Sequence, residues 1–405
     1  MSNLKIVHTA DFHLGAGLRE VAASAYALEL ERQKDYLKQL EAIGKHALVC
    51  GADFLVIAGD VFHTPRPSGY LLDEFARFVH SLTLKGTKIV CIPGNHDQPR
   101  AAQTEAYMKA LADVGAPDLH VFRSPDVCVL EGARSRRKVR FIALPYLSPQ
   151  MIDEQEFTRR IQDKFDDLRA REDLSADYTV VVSHLYVEGA KLGSEQRIAT
   201  LGDYPLPRSV LLDEDVDFIC LGHIHTRQFL HEKMAYSGSV ERVDFGEEDE
   251  KKGFIHLEER GGGLEASFMD LDCRPLVSVP KTGESFDLVR EANPAKALID
   301  AVKRERIPEG AVLRVLVRLG PRQLLPRNVL DEVAEEKKLL HWFLQSERLA
   351  PRRTQRTPGK GVAVREFYEK YVEESLGRRA GRDVLDLVKR EGLRIIDEVE
   401  AEKVR

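Results

Sequence analysis

Continuous apolar runs punctuate the first half of the chain at residues 4–10 (LKIVHTA), 53–58 (DFLVIA), 87–92 (TKIVCI), 178–183 (YTVVVS) and 216–221 (VDFICL). Each is short, rich in β-branched residues and bounded by Gly, Pro or polar groups. That is the pattern of a strand buried on both faces. Between them, residues 24–48, 70–84, 99–113 and 153–171 carry apolar and charged positions at helical spacing. The alternation predicts an α/β domain. Further strands are expected at 139–144, 234–240 and 253–258, and the first domain is expected to run out between Leu264 and Cys273.

A second unit over residues 274–350 reads strand (276–280), helix (294–306), strand (311–319), helix (327–338), strand (339–345). In its central strand Leu313, Val315, Val317 and Leu319 share one face while Arg314 and Arg318 share the other, the period-2 signal of a half-buried strand. Residues 351–361, rich in Pro, Gly and Arg, read as a linker. Two amphipathic segments, 362–376 and 382–400, close the chain as a helical tail, with Gly392 interrupting the second. The expected domains are therefore 1–273, 274–350, the linker 351–361 and the tail 362–405.

Composition narrows the class. Apolar residues make up 43% and charged residues 31% of 405, which excludes a disordered or fibrous chain. No apolar run approaches the ~18 residues that span a bilayer, and no basic leader precedes an apolar core, so no membrane association is expected. Five dispersed cysteines without a C-x-x-C pair predict reduced thiols in the cytoplasm. Charge is uneven: residues 1–280 carry a net −11 and residues 281–405 a net +5. A bulk positive field would not hold a polyanion on the first domain; bound divalent cations would.

Each of the five buried runs ends in side chains that ligate metals. These are Asp11-Phe12-His13, Gly59-Asp60, Gly94-Asn95-His96-Asp97, His184 and Gly222-His223-Ile224-His225. Loops at the carboxyl ends of strands converge in α/β sheets, so these residues are expected to meet. Asp11, His13, Asp60, Asn95, His184, His223 and His225 are too many ligands for one transition metal and suit two, with Asp60 as the bridge. Mixed O/N donors without thiolate point to Mn, Fe or Zn. The remaining histidines, His8, His46, His80, His120, His231, His256 and His341, fall outside these motifs and read as packing or surface residues.

The order D-x-H, G-D, G-N-H-D, H, G-H-x-H resembles the calcineurin-like metallophosphoesterase superfamily. Within it the chain resembles the SbcD-type DNA double-strand-break repair nucleases. That likeness rests on His8–Gly15, Gly59–His63 with Arg66-Pro67-Ser68, Tyr236–Ser239, Glu241-Arg242, Phe245–Glu247 and Lys252–Phe254. The resemblance implies a metallophosphoesterase β-sandwich flanked by helices, a smaller α/β capping domain and a C-terminal helical tail. It assigns Asp11, His13, Asp60 and His225 to one cation and Asp60, Asn95, His184 and His223 to the other, with Mn²⁺ the expected metal. His96 would be the non-ligand catalytic histidine, Asp97 its orienting partner, and His63 a residue beside the DNA.

The implied activity is 3′-to-5′ exonuclease action on duplex ends and endonuclease action on single strands. The implied partners are DNA, a second copy of the chain through the helices at 70–84 and 99–113, and an SMC-like SbcC-type ATPase bound by residues 362–400. The place of action would be the nucleoid. No G-x-x-x-x-G-K-S/T motif occurs, so ATP dependence would come from that partner. A phosphomonoesterase or cyclic-nucleotide phosphodiesterase on the same metal core is the alternative, and a scaffold that has lost catalysis is a third reading.

Overall fold

A computed structural model describes residues 2–18, 26–98, 118–148, 152–171, 174–193, 203–281, 283–348, 364–376 and 381–402. The first fifteen elements run β1 (Lys5–Thr9), α1 (Tyr26–Cys50), β2 (Phe54–Ala58), α2 (Gly69–Thr83), β3 (Lys88–Ile92), β4 (Leu119–Val121), β5 (Asp126–Glu131), β6 (Lys138–Leu144), α3 (Glu154–Arg169), β7 (Tyr178–Ser183), β8 (Phe218–Leu221), β9 (Gln228–His231), β10 (Met234–Tyr236), β11 (Gly253–Arg260) and β12 (Gly263–Asp270). The helix expected at 99–113 and the linker at 351–361 lie outside the described residues.

Two six-stranded sheets form, ordered β12-β11-β1-β2-β3-β4 and β5-β6-β7-β8-β10-β9. Their facing sides share one core. Ile6, Phe54, Val56 and Val90 from the first sheet meet Phe141, Val180, Val182 and Phe218 from the second. The outer face of the first sheet (Val7, Leu55, Ile57, Ile89) is covered by Tyr36, Leu40 and Ile43 of α1 and Phe75 and Phe78 of α2. The outer face of the second (Ile142, Val181, Ile219) is covered by Phe157, Ile161 and Phe165 of α3. The strands are continuous apolar runs because both of their faces are buried, each such side chain contributing about 1.5–3 kcal/mol. Leu71, Phe75 and Phe78 of α2 are buried core.

The helices start where local chemistry says they should. Ser68 Oγ accepts from Leu71 N at 3.3 Å and Asp153 Oδ1 from Glu156 N at 2.8 Å, each satisfying a first-turn donor. One segment differs from expectation. Residues 264–273, expected to be where the first domain runs out, lie largely in β12, which pairs antiparallel with β11 along its full length. Its burial alternates because it is an edge strand with one solvated face.

The chain continues through β13 (Leu276–Val279), β14 (Phe286–Asp287), α4 (Pro294–Arg304), β15 (Val312–Leu319), α5 (Asp331–Glu336) and β16 (His341–Arg348). β15 pairs with β13, β14 and β16 in a separate small sheet. The predicted alternation along 313–319 holds, with Val315 and Val317 buried and Arg314 and Arg318 partly exposed. Phe245 and Leu276 share a cluster with Leu18 and Val312, and Phe245 also meets Phe343 edge-on at 5.5 Å.

The described chain divides into two compact units, residues 1–318 with 324–347, and residues 319–323 with 348–405. In the second unit α6 (Val364–Leu376) and α7 (Arg382–Glu402) pair as a hairpin. Arg365 bonds Asp397 at 3.1 Å, Lys389 bonds Glu373 at 2.6 Å, and Tyr368 Oη donates to Val388 O at 2.8 Å. Gly392 does not interrupt α7. It makes room for Tyr368, whose ring a Cβ there would overlap. No described helix is long and apolar enough to cross a membrane.

Candidate metal centre

The loops after β1 and β2 stay zipped together beyond the strands. Asp11 N donates to Gly59 O at 3.0 Å, His13 N to Asp60 O at 2.9 Å, and His63 N to Leu14 O at 3.1 Å. This pairing bends the backbone sharply. Asp11, His13, Asp60 and His223 all have positive φ (50°, 46°, 53° and 94°). A side chain there costs about 1–3 kcal/mol, and such strain collects where a site dictates the geometry. Gly59 (φ 95°) and Gly94 are required by contact: a Cβ would overlap the His184 ring at the first and the Asp60 carboxylate at the second.

The seven expected ligands converge and all but Asn95 are buried. Asp60 stands between two groups: its Oδ2 lies 3.7 Å from His13 Nε2 and 3.5 Å from His184 Nε2, while its Oδ1 accepts from His96 N at 2.8 Å. On one side, His13 Nε2 and His225 Nε2 are 2.9 Å apart with Asp11 beside them. On the other, Asn95 Oδ1 faces His184 Nε2 and His223 Nδ1, both at 3.1 Å. Both Asp11 oxygens accept from His223 N at 3.1 Å, tying the first loop to the last.

The donor set itself asks for cations. His184 Nδ1 lies 2.7 Å from Ala58 O, which can only accept, so Nδ1 carries the hydrogen. His223 Nε2 lies 3.0 Å from Asp203 Oδ2, and His225 Nδ1 lies 2.7 Å from Glu247 Oε1, with the same consequence. In each neutral ring the other nitrogen is then a lone pair. Two of those lone pairs point at Asn95 Oδ1, itself an acceptor. Acceptors aimed at one another at about 3 Å need a positive centre between them, a cation or, in its place, a proton. The residues therefore fit two divalent cations, one beside each histidine group with Asp60 between them.

The electrostatics agree. Burial works to raise Asp60, but His184 and His13 outweigh it and hold the carboxylate well below its usual range. Burial works to lower His184, but Asp60 and Asp11 push it up to about 9. Burial pushes His13 down despite Asp60, aided by His225 and His96. Without a metal the site keeps a proton on His184 where a cation belongs.

Asp203, Glu247 and Tyr146 were not expected here. Asp203 holds His223 and accepts from Tyr146 Oη at 2.9 Å. Glu247 holds His225 and is in turn held by Lys252 Nζ at 2.9 Å and Val243 N at 2.9 Å. Carboxylates behind metal-binding histidines fix the tautomer and raise ligand basicity. The sequence offered a hint only for Glu247, inside the Phe245-Gly246-Glu247 stretch.

His96 sits beside His13 and His63, with one ring nitrogen from each of the three within 4.8 Å of the others. Its Nδ1 lies 2.9 Å from His63 O, which leaves Nε2 for a reacting group. Its ring stacks on His63 (centroids 5.0 Å, 26° between planes) and stands edge-on to His13 at 4.8 Å. Asp97 departs from its expected role. It does not orient the His96 ring; its carboxylate accepts from Val61 N, Phe62 N and Gly94 N at 3.0–3.1 Å. Burial and the Asp60 charge push it up to about 7. Asp97 anchors the loop backbone, and the His63 carbonyl orients the ring.

The calcineurin-like phosphoesterase family matches residues 4–227, more than half of the sequence. The chain belongs to the calcineurin-like phosphoesterases. It is a metal-dependent hydrolase of phosphate esters, built for two divalent cations. Among solved structures, a dimetal phosphatase from Danio rerio is 12% identical, covering 67% of this phosphoesterase and 100% of its own chain at a TM-score of 0.35. A family 1 β-glucosidase from Thermotoga maritima is 14% identical over 85% of this chain and 88% of its own, with a TM-score of 0.24. Likenesses this loose carry no argument; the family assignment of this phosphoesterase rests on the matched sequence.

Proposed function

We propose that this phosphoesterase is a DNA nuclease of the double-strand-break repair type. It would degrade duplex ends 3′-to-5′, cut single strands internally, and act as a homodimer with an SMC-like ATPase. The sequence resemblance to SbcD-type nucleases supports the substrate class. The structural observation that carries the reading is the packing of the unit beyond the family match on the loop behind the metal ligands. Phe245, two residues from Glu247, lies against Leu276, Val312 and Phe343, and the Arg314 guanidinium stacks over its ring at 4.6 Å. A module braced on a ligand-holding loop suits a polymer that extends past the metals; a small ester has no use for it.

Two cations, Mn²⁺ in this proposal, would clamp the phosphodiester and supply a nucleophilic water at neutral pH. The chain does the rest. Asp60, His184, His223, His225, His13, Asn95 and Asp11 fix the clamp. His96 Nε2 holds or delivers a proton at the leaving oxygen. His63 extends the imidazole wall alongside it. In the tail, Val384, Leu387, Ile395 and Tyr371 expose apolar surface, which favours docking of a partner helix.

The test is cleavage of end-labelled duplex DNA with Mn²⁺, with and without chelator, beside p-nitrophenyl phosphate. Chelator-sensitive loss of duplex ends is expected. Hydrolysis of the small ester alone would put a phosphomonoesterase in its place. Removing residues 351–405 should spare cleavage of short DNA and abolish ATPase binding.

A further inference from the structure

The sequence reads His46 and His256 as packing or surface residues and Cys50 as a reduced thiol. The fold brings them together. His46 and Cys50 are four residues apart on the last turns of α1, so they share one face. His256 points from β11 toward that helix, on the same strand face as Phe254, which packs in the core beneath α1. His46 Nε2 and His256 Nδ1 are 3.3 Å apart, their rings edge-on at 5.2 Å and 84°. The ligand atoms of all three residues lie within 4.8 Å of one another.

We propose that His46, Cys50 and His256 form a zinc site, separate from the catalytic centre, that clamps the end of α1 to β11. The nitrogen spacing carries the argument. Two imidazoles on a tetrahedral zinc, each at about 2.0–2.1 Å, have their nitrogens about 3.3–3.4 Å apart. The thiol is close and makes weak contacts, from Cys50 Sγ to Ala47 O at 3.5 Å and with the Ala52 and Cys50 backbone, which a side-chain rotation releases. A thiolate with two imidazoles is a softer donor set than the O/N set at the strand ends, and it favours Zn²⁺ over Mn²⁺.

The surroundings suit a cation. α1 has no basic residue in its last turn; Gly51 N and Ala52 N serve the Leu48 and Ala47 carbonyls, and Lys5 Nζ donates to Cys50 O at 3.1 Å. A divalent ion beside that helix end is favourable. Lys5 is itself paired with Glu258 at 3.6 Å, which tempers its repulsion of a metal. All three residues are partly exposed, so an ion can enter and a water can take the fourth position. His256 pairs with Val7 and Lys5 pairs with Glu258, which puts the cluster near the start of β1, whereas Asp11 follows its end.

Co²⁺ added to the full-length protein tests this. The catalytic donors include no thiolate, so a near-ultraviolet thiolate-to-cobalt charge-transfer band that depends on Cys50 among the five free cysteines reports this site. The band is expected in the wild type and is expected to be lost in Cys50→Ser, with Mn²⁺-dependent phosphoester cleavage unchanged. Excess Zn²⁺ should bleach it. No band in the wild type, or a band that survives Cys50→Ser, overturns the proposal and leaves a plain histidine–histidine hydrogen bond. A second measurement needs no variant: Zn²⁺ should protect Cys50 from iodoacetamide, read by peptide mass spectrometry. Unchanged alkylation of Cys50 overturns it equally.

Discussion

His225 is aimed at His13 by Glu247. The Nδ1 of His225 is held 2.7 Å from Glu247 Oε1, and its Nε2 therefore faces His13 Nε2 at 2.9 Å. Burial works to raise Glu247, but His225 and Lys252 hold it well below its usual range, so it stays anionic. Glu247→Gln removes the charge that makes His225 a strong ligand. Metal affinity should fall about 10–100-fold, the usual cost of losing such a partner. Activity should return at high Mn²⁺. A metal titration of cleavage with an unchanged midpoint would contradict the assignment.

Asp60 Oδ2 lies between the two histidine groups, at 3.7 Å from His13 and 3.5 Å from His184. Asp60→Asn should therefore empty both positions together, whereas Asn95→Ala should weaken only the one with His184 and His223. Elemental analysis of the purified variants separates the two patterns. Loss of a single metal from Asp60→Asn would show that the carboxylate is not shared.

His96 makes its bonds through the His63 carbonyl and its own backbone, not through a metal-facing nitrogen. His96→Ala should keep two metals and lose about 10²–10⁴-fold in rate, the range for a positioned proton donor. Asp97→Asn tests the revised role beside it. With Asp97 a loop anchor, the substitution should lower melting temperature and rate together and leave the pH profile of cleavage in place. Normal cleavage by His96→Ala would remove it from the mechanism.

The strand ends were legible because burial on both faces leaves an uninterrupted apolar run, and the polar residue that breaks it marks the end. Asp11, Asp60, Asn95, His184 and His223 could be placed for that reason. β12 was not legible: GLEASFMD alternates at a solvated edge and resembles a chain leaving its domain. Asp203 and Glu247 follow no strand end, and a carboxylate behind a histidine has no spacing rule. The His46–Cys50–His256 cluster was invisible for a similar reason. Its third member lies 206 residues beyond its second, on a strand whose register only the folded sheet reveals.

Metal uptake should release a proton from His184. Asp60 and Asp11, working against burial, push this imidazole up to about 9, so the metal-free site is protonated at neutral pH. A cation must displace that proton before Nε2 can ligate. Affinity should rise by about tenfold per pH unit below pH 9 and level above it. Calorimetric titration of Mn²⁺ in two buffers of different ionisation enthalpy counts the proton directly. A heat that is the same in both buffers would mean that His184 is already neutral.

His8 should make the fold acid-sensitive. It lies fully buried in β1, and neither ring nitrogen meets a partner at hydrogen-bonding geometry. Burial lowers it from 6.5 to about 3, against a smaller raising pull from the Leu221 backbone. The unfolded chain therefore binds a proton between these values and the folded chain does not. Stability is fully present above about pH 6.5 and falls by up to about 1.4 kcal/mol per pH unit toward pH 3. His8→Leu keeps an apolar group of similar size and removes the titration. Urea unfolding in chelator at pH 7.5 and pH 5.5 should show a smaller drop in the variant than in the wild type. Equal drops would mean that His8 already carries its proton, or an unseen bond, in the folded protein.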